Sequence, residues 1–350
     1  MNKILLTFLL LFNITAKANT NIALDKAIEE LRVNHQIPAL SIAIISKGEV
    51  AYTKGFGFID ANRQQPTLPT SLFRIASISK LFTAQAIMQL VEAKKLTLDD
   101  TIGDYLADFS QNDIKIKQLL THGSGINDRI KPVNASMQRS EQNYLKQVAS
   151  TLESKNSKQQ FSYSDTGFNL LGAIVSKVSG LSFEDYIQRY IIQPAGLTSS
   201  YYFNGNELPK VDAQPSKDGH MLAIEQQRPF DQAFNPSEGM ISNVNDLAQW
   251  LKLTLAQESK LLTKLSYLAM LEPQLKTNWG EVHIGLGWQV YQSDDGFIAR
   301  HPGSIRGYSS LLLTYPEKQH AMIILTNSAN APRWNIAKEI TKIMKQHKLW

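Results

Sequence analysis

The chain has 350 residues, with 36 Lys and Arg against 31 Asp and Glu, a formal charge of +5, 43% hydrophobic residues and no Cys. That length buries a large core and exceeds a typical single domain enough to suggest two interlocked subdomains. The charge excess is small and dispersed, without basic runs interleaved with aromatics, which excludes a dedicated nucleic-acid module; a disulfide framework is excluded outright.

Residues 1–18 read as a secretory signal peptide: Lys3 supplies the positive start, residues 4–12 an apolar core, and Ala16-Lys17-Ala18 a small-x-small cleavage site. Asn13 and Thr15 interrupt the apolar run well short of the roughly 20 residues a membrane span needs, so a periplasmic or secreted mature protein without a stable span is expected. Residues 24–34 then have helix periodicity, with Leu24, Ile28 and Leu31 on one face. Two apolar runs, 40–46 and 50–56, split by Lys47-Gly48-Glu49, read as a hairpin. From about 72 to 270 the pattern is mostly helical, while 139–151 and 204–234 read as surface segments. Three further strands are expected at 297–300, 308–315 and 320–326, followed by a helix over 334–345 presenting Ile336, Ile340, Ile343 and Met344. The five strand runs predict one antiparallel sheet made from both chain ends, an α+β fold.

The chemistry concentrates at Ser77-Ile78-Ser79-Lys80, where the extended run 72–75 gives way to a helix carrying Leu81, Ala84, Met88 and Val91. At a separation of three, Ser77 and Lys80 share a helical face. A lysine partly stripped of water can take the proton of a nearby serine and raise its reactivity. Ser77 in a first helical turn also has free backbone N–H groups beside it to receive an oxyanion. The seven histidines include no His-Glu-x-x-His pair, which disfavours a metal site, and no Gly-x-Ser-x-Gly elbow marks an α/β-hydrolase.

Downstream, Tyr163-Ser164-Asp165 followed by Thr166-Gly167-Phe168-Asn169-Leu170-Leu171-Gly172, and His301-Pro302-Gly303 followed by Ser304, Gly307 and Tyr308, stand in order with Ser77 and Lys80. With Leu119-Leu120-Thr121-His122-Gly123-Ser124-Gly125-Ile126 and Pro236-Ser237-Glu238-Gly239-Met240, the chain resembles the serine beta-lactamase and penicillin-binding superfamily, within it the class C beta-lactamase-like group, over roughly residues 24–328. The resemblance implies one catalytic unit over 19–350, with a helical subdomain (about 71–279) inserted into a sheet-bearing one (about 19–70 and 280–350) and the active site in the groove between them. It implies Ser77 as nucleophile, Lys80 and Tyr163 as the proton-handling pair, and an oxyanion hole from the backbone N–H groups of Ser77 and Ser304. Asp165, His301 and Gly303 become substrate-binding residues, and loops in 204–234 border the groove. Whether Lys80 or Tyr163 is the base stays open; in either assignment the pair is expected to hold one proton fewer than two isolated groups.

Two of the motifs depart from the group's pattern. Asp165 stands where asparagine is usual, and an ionised carboxylate only accepts hydrogen bonds; it could instead hold the Lys80 ammonium. His301-Pro302 replaces the usual Lys-Thr, weakening the anchor for a substrate carboxylate with an imidazole that is neutral or cationic near neutral pH. Both point from penicillin turnover toward an ester or a D-amino-acid-containing peptide. The implied function is an exported, cofactor-free serine hydrolase acting on such small substrates, with a D-alanyl-D-alanine carboxypeptidase, a beta-lactamase and a noncatalytic peptidoglycan-binding module as alternatives.

Overall fold

The computed structural model describes residues 2–133, 139–152, 160–205, 209–257 and 260–350, with side chains from residue 18 onward. Nearly all of the signal-peptide reading therefore lies outside the described side chains; the backbone there opens helix α1, Asn2–Asn34. No helix among the described residues is long and apolar enough to cross a membrane.

Eight strands form one sheet: β1 Ala39–Ser46, β2 Glu49–Gly57, β3 Leu275–Lys276, β4 His283–Ile284, β5 Gln289–Ser293, β6 Gly296–Ile305, β7 Tyr308–Tyr315 and β8 His320–Thr326, in the order β2-β1-β8-β7-β6-β5-β4-β3. Every pairing is antiparallel, and the two chain ends meet where β1 pairs β8 from Leu40↔Thr326 to Ile45↔Ala321. The five runs legible in the sequence are the five longest strands. β3 to β5 are too short and irregular for an alternating pattern to register.

The sheet is covered on both faces, which is why β1 reads as an unbroken apolar run. Leu40, Ile42 and Ile44 point into one cluster with Leu24 and Ile28 of α1 and with Ile336, Ile340 and Ile343 of the C-terminal helix Arg333–Gln346. Ala39, Ala43 and Ile45 point the other way, into the core of the helical insert. Each large aliphatic side chain so buried contributes about 1.5–3 kcal/mol relative to exposure.

The insert between β2 and β3 is built on α2 Ser79–Glu92, α3 Glu141–Thr151, α4 Asp165–Ser179 and α5 Val244–Ala256, and the C-terminal helix is α6. α2 is its axis, buried from Ser79 to Leu90 except for Gln89. Residues 139–151 are not a surface segment: α3 buries Tyr144, Leu145 and Val148 on a stripe that its many polar neighbours mask in the sequence. Arg139 forms a buried ion pair with Asp231, its guanidinium 5.0 Å from the Tyr144 ring centroid, so 204–234 is also pinned to the core, through Asp231 and Phe234.

One detail of the sheet creates the site. β5 pairs with β6 only through Gly296–Arg300, leaving residues 301–305 hydrogen-bonded to β7 alone. The open edge packs against the turn that carries Ser77: Ser310 Oγ donates to Ile75 O at 2.7 Å, and a Cβ on Gly303 would stand 2.4 Å from that same oxygen. Only glycine allows that approach.

Candidate active site

Ser77 lies in the 3₁₀ turn Ala76–Ile78 that leads into α2, one step ahead of the regular helix. The preceding Ala76 has φ +53°, a left-handed conformation costing on the order of 1 kcal/mol or more for a residue with a side chain. Ser79 holds the turn in place, its Oγ donating to Ala76 O (2.7 Å) and accepting from Met240 N (3.0 Å).

From α2, Lys80 reaches Ser77. Its Nζ donates to Ser77 Oγ (3.2 Å), Asp165 Oδ1 (2.5 Å) and Ser237 O (2.9 Å), so all three ammonium protons are used. The lysine is fully buried and Asp165 24% exposed, which seals the ion pair at its cationic end and opens it to the groove at the other. Burial pulls the Lys80 pKa down, but the Asp165 carboxylate and Tyr163 outweigh it and hold the ammonium above the ordinary lysine range. Burial likewise raises the Tyr163 phenol, more than the adjacent Lys80 lowers it. The resting pair thus keeps both protons, correcting the expectation of one fewer. The Asp165 carboxylate supplies the negative charge a tyrosinate would otherwise have provided, holding the Lys80 ammonium as its position in the motif allowed. The raised Lys80 contributes stability that is full below the unfolded lysine pKa of about 10.4 and is lost only as pH climbs through its higher folded value.

Tyr163 and Asp165 flank the start of α4, and a single carboxylate fixes both. Asp128 accepts from Ser164 Oγ (3.0 Å), Asp165 N (3.0 Å) and Thr166 N (2.8 Å), while Ser164 Oγ caps the helix by accepting from Gly167 N. His122 completes the template: its carbonyl accepts from Ser162 N, its Nδ1 from Ser164 N, and its ring lies 4.2 Å from that of Tyr163.

His301 sits on the open part of β6, its ring 6.5 Å from Tyr163 and its Nδ1 donating to Pro302 O at 2.8 Å. Burial, then the Lys80 charge, depress His301 to about 3 and drive His122 well below the ordinary histidine range. Both imidazoles are therefore neutral near neutral pH, and the cationic alternative for His301 is set aside. An unfolded histidine binds a proton below about pH 6.5, so these two stabilise the fold above that pH and cease to as acid is added. Between pH 6 and 4 the unfolding free energy is expected to fall by about 1.4 kcal/mol per pH unit for each histidine. Urea unfolding midpoints across that range would show it, and His301→Gln should flatten the slope.

The structure adds groups that no motif announced. Arg333, the first residue of α6, donates from Nη1 to Gly303 O (2.6 Å) and Ser304 Oγ (2.7 Å) and so places a cation beside the open strand. Arg300 lies over Trp334, 4.5 Å from its ring centroid. Phe161 and Trp279 pack edge to face at 4.7 Å next to Tyr163. Ser77, Lys80, Tyr163 and Asp165 form one contact network, with the His301 ring 6.5 Å from Tyr163, Gly303 against the turn that carries Ser77 and Ser304 next to it in the strand, whereas Ser124 is buried in the supporting loop.

The antiparallel sheet, its covering helices and the helical insert are the architecture of the beta-lactamase and penicillin-binding superfamily of serine hydrolases. Residues 24–341 match the family model described as Beta-lactamase, and the chain belongs to that family as an enzyme of the serine-hydrolase type. It is 28% identical over 317 residues to Protein flp of Staphylococcus aureus (strain N315), covering 87% of this chain and 62% of that protein. The chain thus spans about three-fifths of the length of such relatives. Penicillin-binding protein 4* of Bacillus subtilis (strain 168) is 26% identical over 329 residues, covering 89% of this chain and 72% of that protein. Among solved structures, the octameric penicillin-binding protein homologue from Pyrococcus abyssi superposes with a TM-score of 0.79 at 29% identity, over 92% of this chain and 76% of that one. The D-amino acid amidase from Ochrobactrum anthropi SV3 gives 0.81 at 19% identity, over 94% and 99%, a likeness of fold alone.

Proposed function

We propose that the chain is an exported serine hydrolase that cleaves an ester or a peptide-like amide through an acyl-enzyme on Ser77, in a groove between its sheet-bearing and helical subdomains. The observation that carries this reading is the 3.2 Å contact from the buried Lys80 Nζ to Ser77 Oγ, with Tyr163 beside both. Ser77 Oγ attacks the acyl carbon, and its proton passes to the Lys80–Tyr163 pair. The backbone N–H groups of Ser77 and Ser304 receive the oxyanion. The pair returns the proton to the departing oxygen or nitrogen, and water then releases the acid. The pair must first lose one proton, and because both groups lie above their ordinary ranges, acylation should quicken as pH rises from neutral.

Asp165 cannot donate to a substrate amide carbonyl and His301 carries no charge, which disfavours penicillins. Arg333 at Gly303 and Ser304 offers a cation to a terminal carboxylate, and this supports a D-amino-acid-containing peptide, such as a peptidoglycan fragment, as the second reading. The intact Ser77–Lys80 contact favours neither noncatalytic wall binding nor any cofactor. The apolar stretch at residues 4–12 supports export to the periplasm or medium with cleavage near Ala18. Mass spectrometry after treatment with a fluorophosphonate should show an adduct on Ser77, and parallel treatment with a penicillin should show little or none. Rapid cephalosporin turnover would restore the beta-lactamase reading, and failure to label Ser77 with either reagent would remove the acyl-enzyme.

A further inference from the structure

Trp279 stands at the tip of the hairpin joining β3 and β4, with 42% of its surface exposed. Its position is braced: Thr277 Oγ1 donates to Val282 O (2.7 Å) and accepts from Trp279 N (3.0 Å), closing the turn. The indole meets Phe161 edge to face at 4.7 Å and lies 6.0 Å from the ring of Tyr163. His122 packs on Tyr163 from the buried interior at 4.2 Å, whereas Trp279 faces it from the exposed hairpin. A large indole left open to water beside a reactive groove is apolar area waiting for a ligand.

The groove is asymmetric. Arg333 and Arg300 gather next to Ser304, while the Tyr163 ring has the aromatic rings of Phe161 and Trp279 beside it on the side away from the Lys80–Asp165 ion pair. During acylation the Ser77 Oγ–carbon bond forms and the carbon–oxygen bond to the departing alcohol breaks, its oxygen taking back the proton from the Lys80–Tyr163 pair. That oxygen must come within reach of Tyr163, whose ring lies 6.0 Å from that of Trp279.

We infer that Trp279 and Phe161 form a leaving-group platform that selects esters or amides whose departing alcohol or amine bears an apolar, preferably aromatic, ring. The inference rests on the acyl-enzyme reading, and it makes leaving-group preference a property of the β3–β4 hairpin, not of the 204–234 loops. Indole offers a broad face for offset or edge contact, and covering it with a ring adds dispersion and burial together.

Benzyl butyrate and ethyl butyrate share an acyl group and release alcohols of similar acidity, so they isolate the effect. The wild-type enzyme is expected to favour the benzyl ester in kcat/KM by about tenfold, the scale of one aromatic contact with its burial. Trp279→Ala should erase most of that preference and Trp279→Phe keep part of it. The deacylation rate, set by the shared butyryl-enzyme, should be unchanged in both variants. A wild-type enzyme without benzyl preference, or with no benzyl turnover, would overturn the platform, as would a preference that survives Trp279→Ala. Fluorophosphonate labelling expels only fluoride and should be unaffected by Trp279→Ala. Failure of wild-type Ser77 to label counts against the acyl-enzyme alone; a benzyl preference that still depended on Trp279 would uphold the platform.

Discussion

Lys80→Ala is expected to slow acylation of Ser77 by at least ~10², the scale of lost general-base assistance. The effect is anticipated because Lys80 Nζ touches both Ser77 Oγ and the Asp165 carboxylate, at 3.2 and 2.5 Å. Lys80 does not line the groove as an exposed group; it is wholly buried, so its removal leaves a cavity as well as an unpaired carboxylate. Asp165 is partly open to the groove and can be rehydrated there, which confines the damage. Pre-steady-state acylation should be measured beside circular dichroism and thermal unfolding, with Lys80→Met as a better-filled control and Ser77→Ala as the zero. A folded Lys80→Ala enzyme that acylates at the wild-type rate would sink the mechanism.

Asp165→Asn should move the rising limb of the acylation pH profile to lower pH by about 1–3 units, the range over which one adjacent opposite charge shifts a pKa. The sign follows from the forces on Lys80. Burial favours the free amine, and the Asp165 carboxylate is the first of the opposing influences. Once that carboxylate becomes an amide, burial gains ground and Lys80 gives up its proton at lower pH. The wild type instead spends most of its time with the pair fully protonated. The variant should therefore acylate faster near neutral pH with a simple ester, unless the amide also misplaces Lys80, in which case the plateau rate falls. The added amide N–H can donate to a substrate carbonyl, so penicillin acylation is expected to rise as well. A profile that does not move, with either substrate, would remove Asp165 from the proton economy of the site.

Much of this arrangement was readable from residue order because its determinants are local. The Ser77–Lys80 spacing, the apolar runs of β1 and β7, and the stripe Ile336, Ile340 and Ile343 are each set within one element. What escaped depends on distance in space. Arg333 and Trp279 belong to no motif; one becomes relevant because α6 begins beside Gly303, the other because a hairpin tip reaches Tyr163. Asp128 looks like any loop aspartate until the start of α4 is brought against it. That Asp165 could hold the Lys80 ammonium was legible, but that it outweighs burial turns on where a carboxylate 85 positions away places one oxygen. Residues 139–151 misled in a different manner, by surrounding three buried side chains with polar ones.

The pairing of β1 with β8 bears on how the molecule is made. Leu40 can pair with Phe56 of β2 early, but its other edge waits until Thr326 has left the ribosome, so the central sheet cannot close while the chain is still being synthesised. Helices of the insert can form early, but the edge that bears Gly303 and Ser304 reaches the Ser77 turn only when β6 to β8 fall into register between the insert and α1. Such a chain stays incompletely folded for longer than one that completes its sheet from its N-terminus onward. It also makes the hydrolase a late product of its own folding: removal of the final strands should leave helical structure behind but no competent serine.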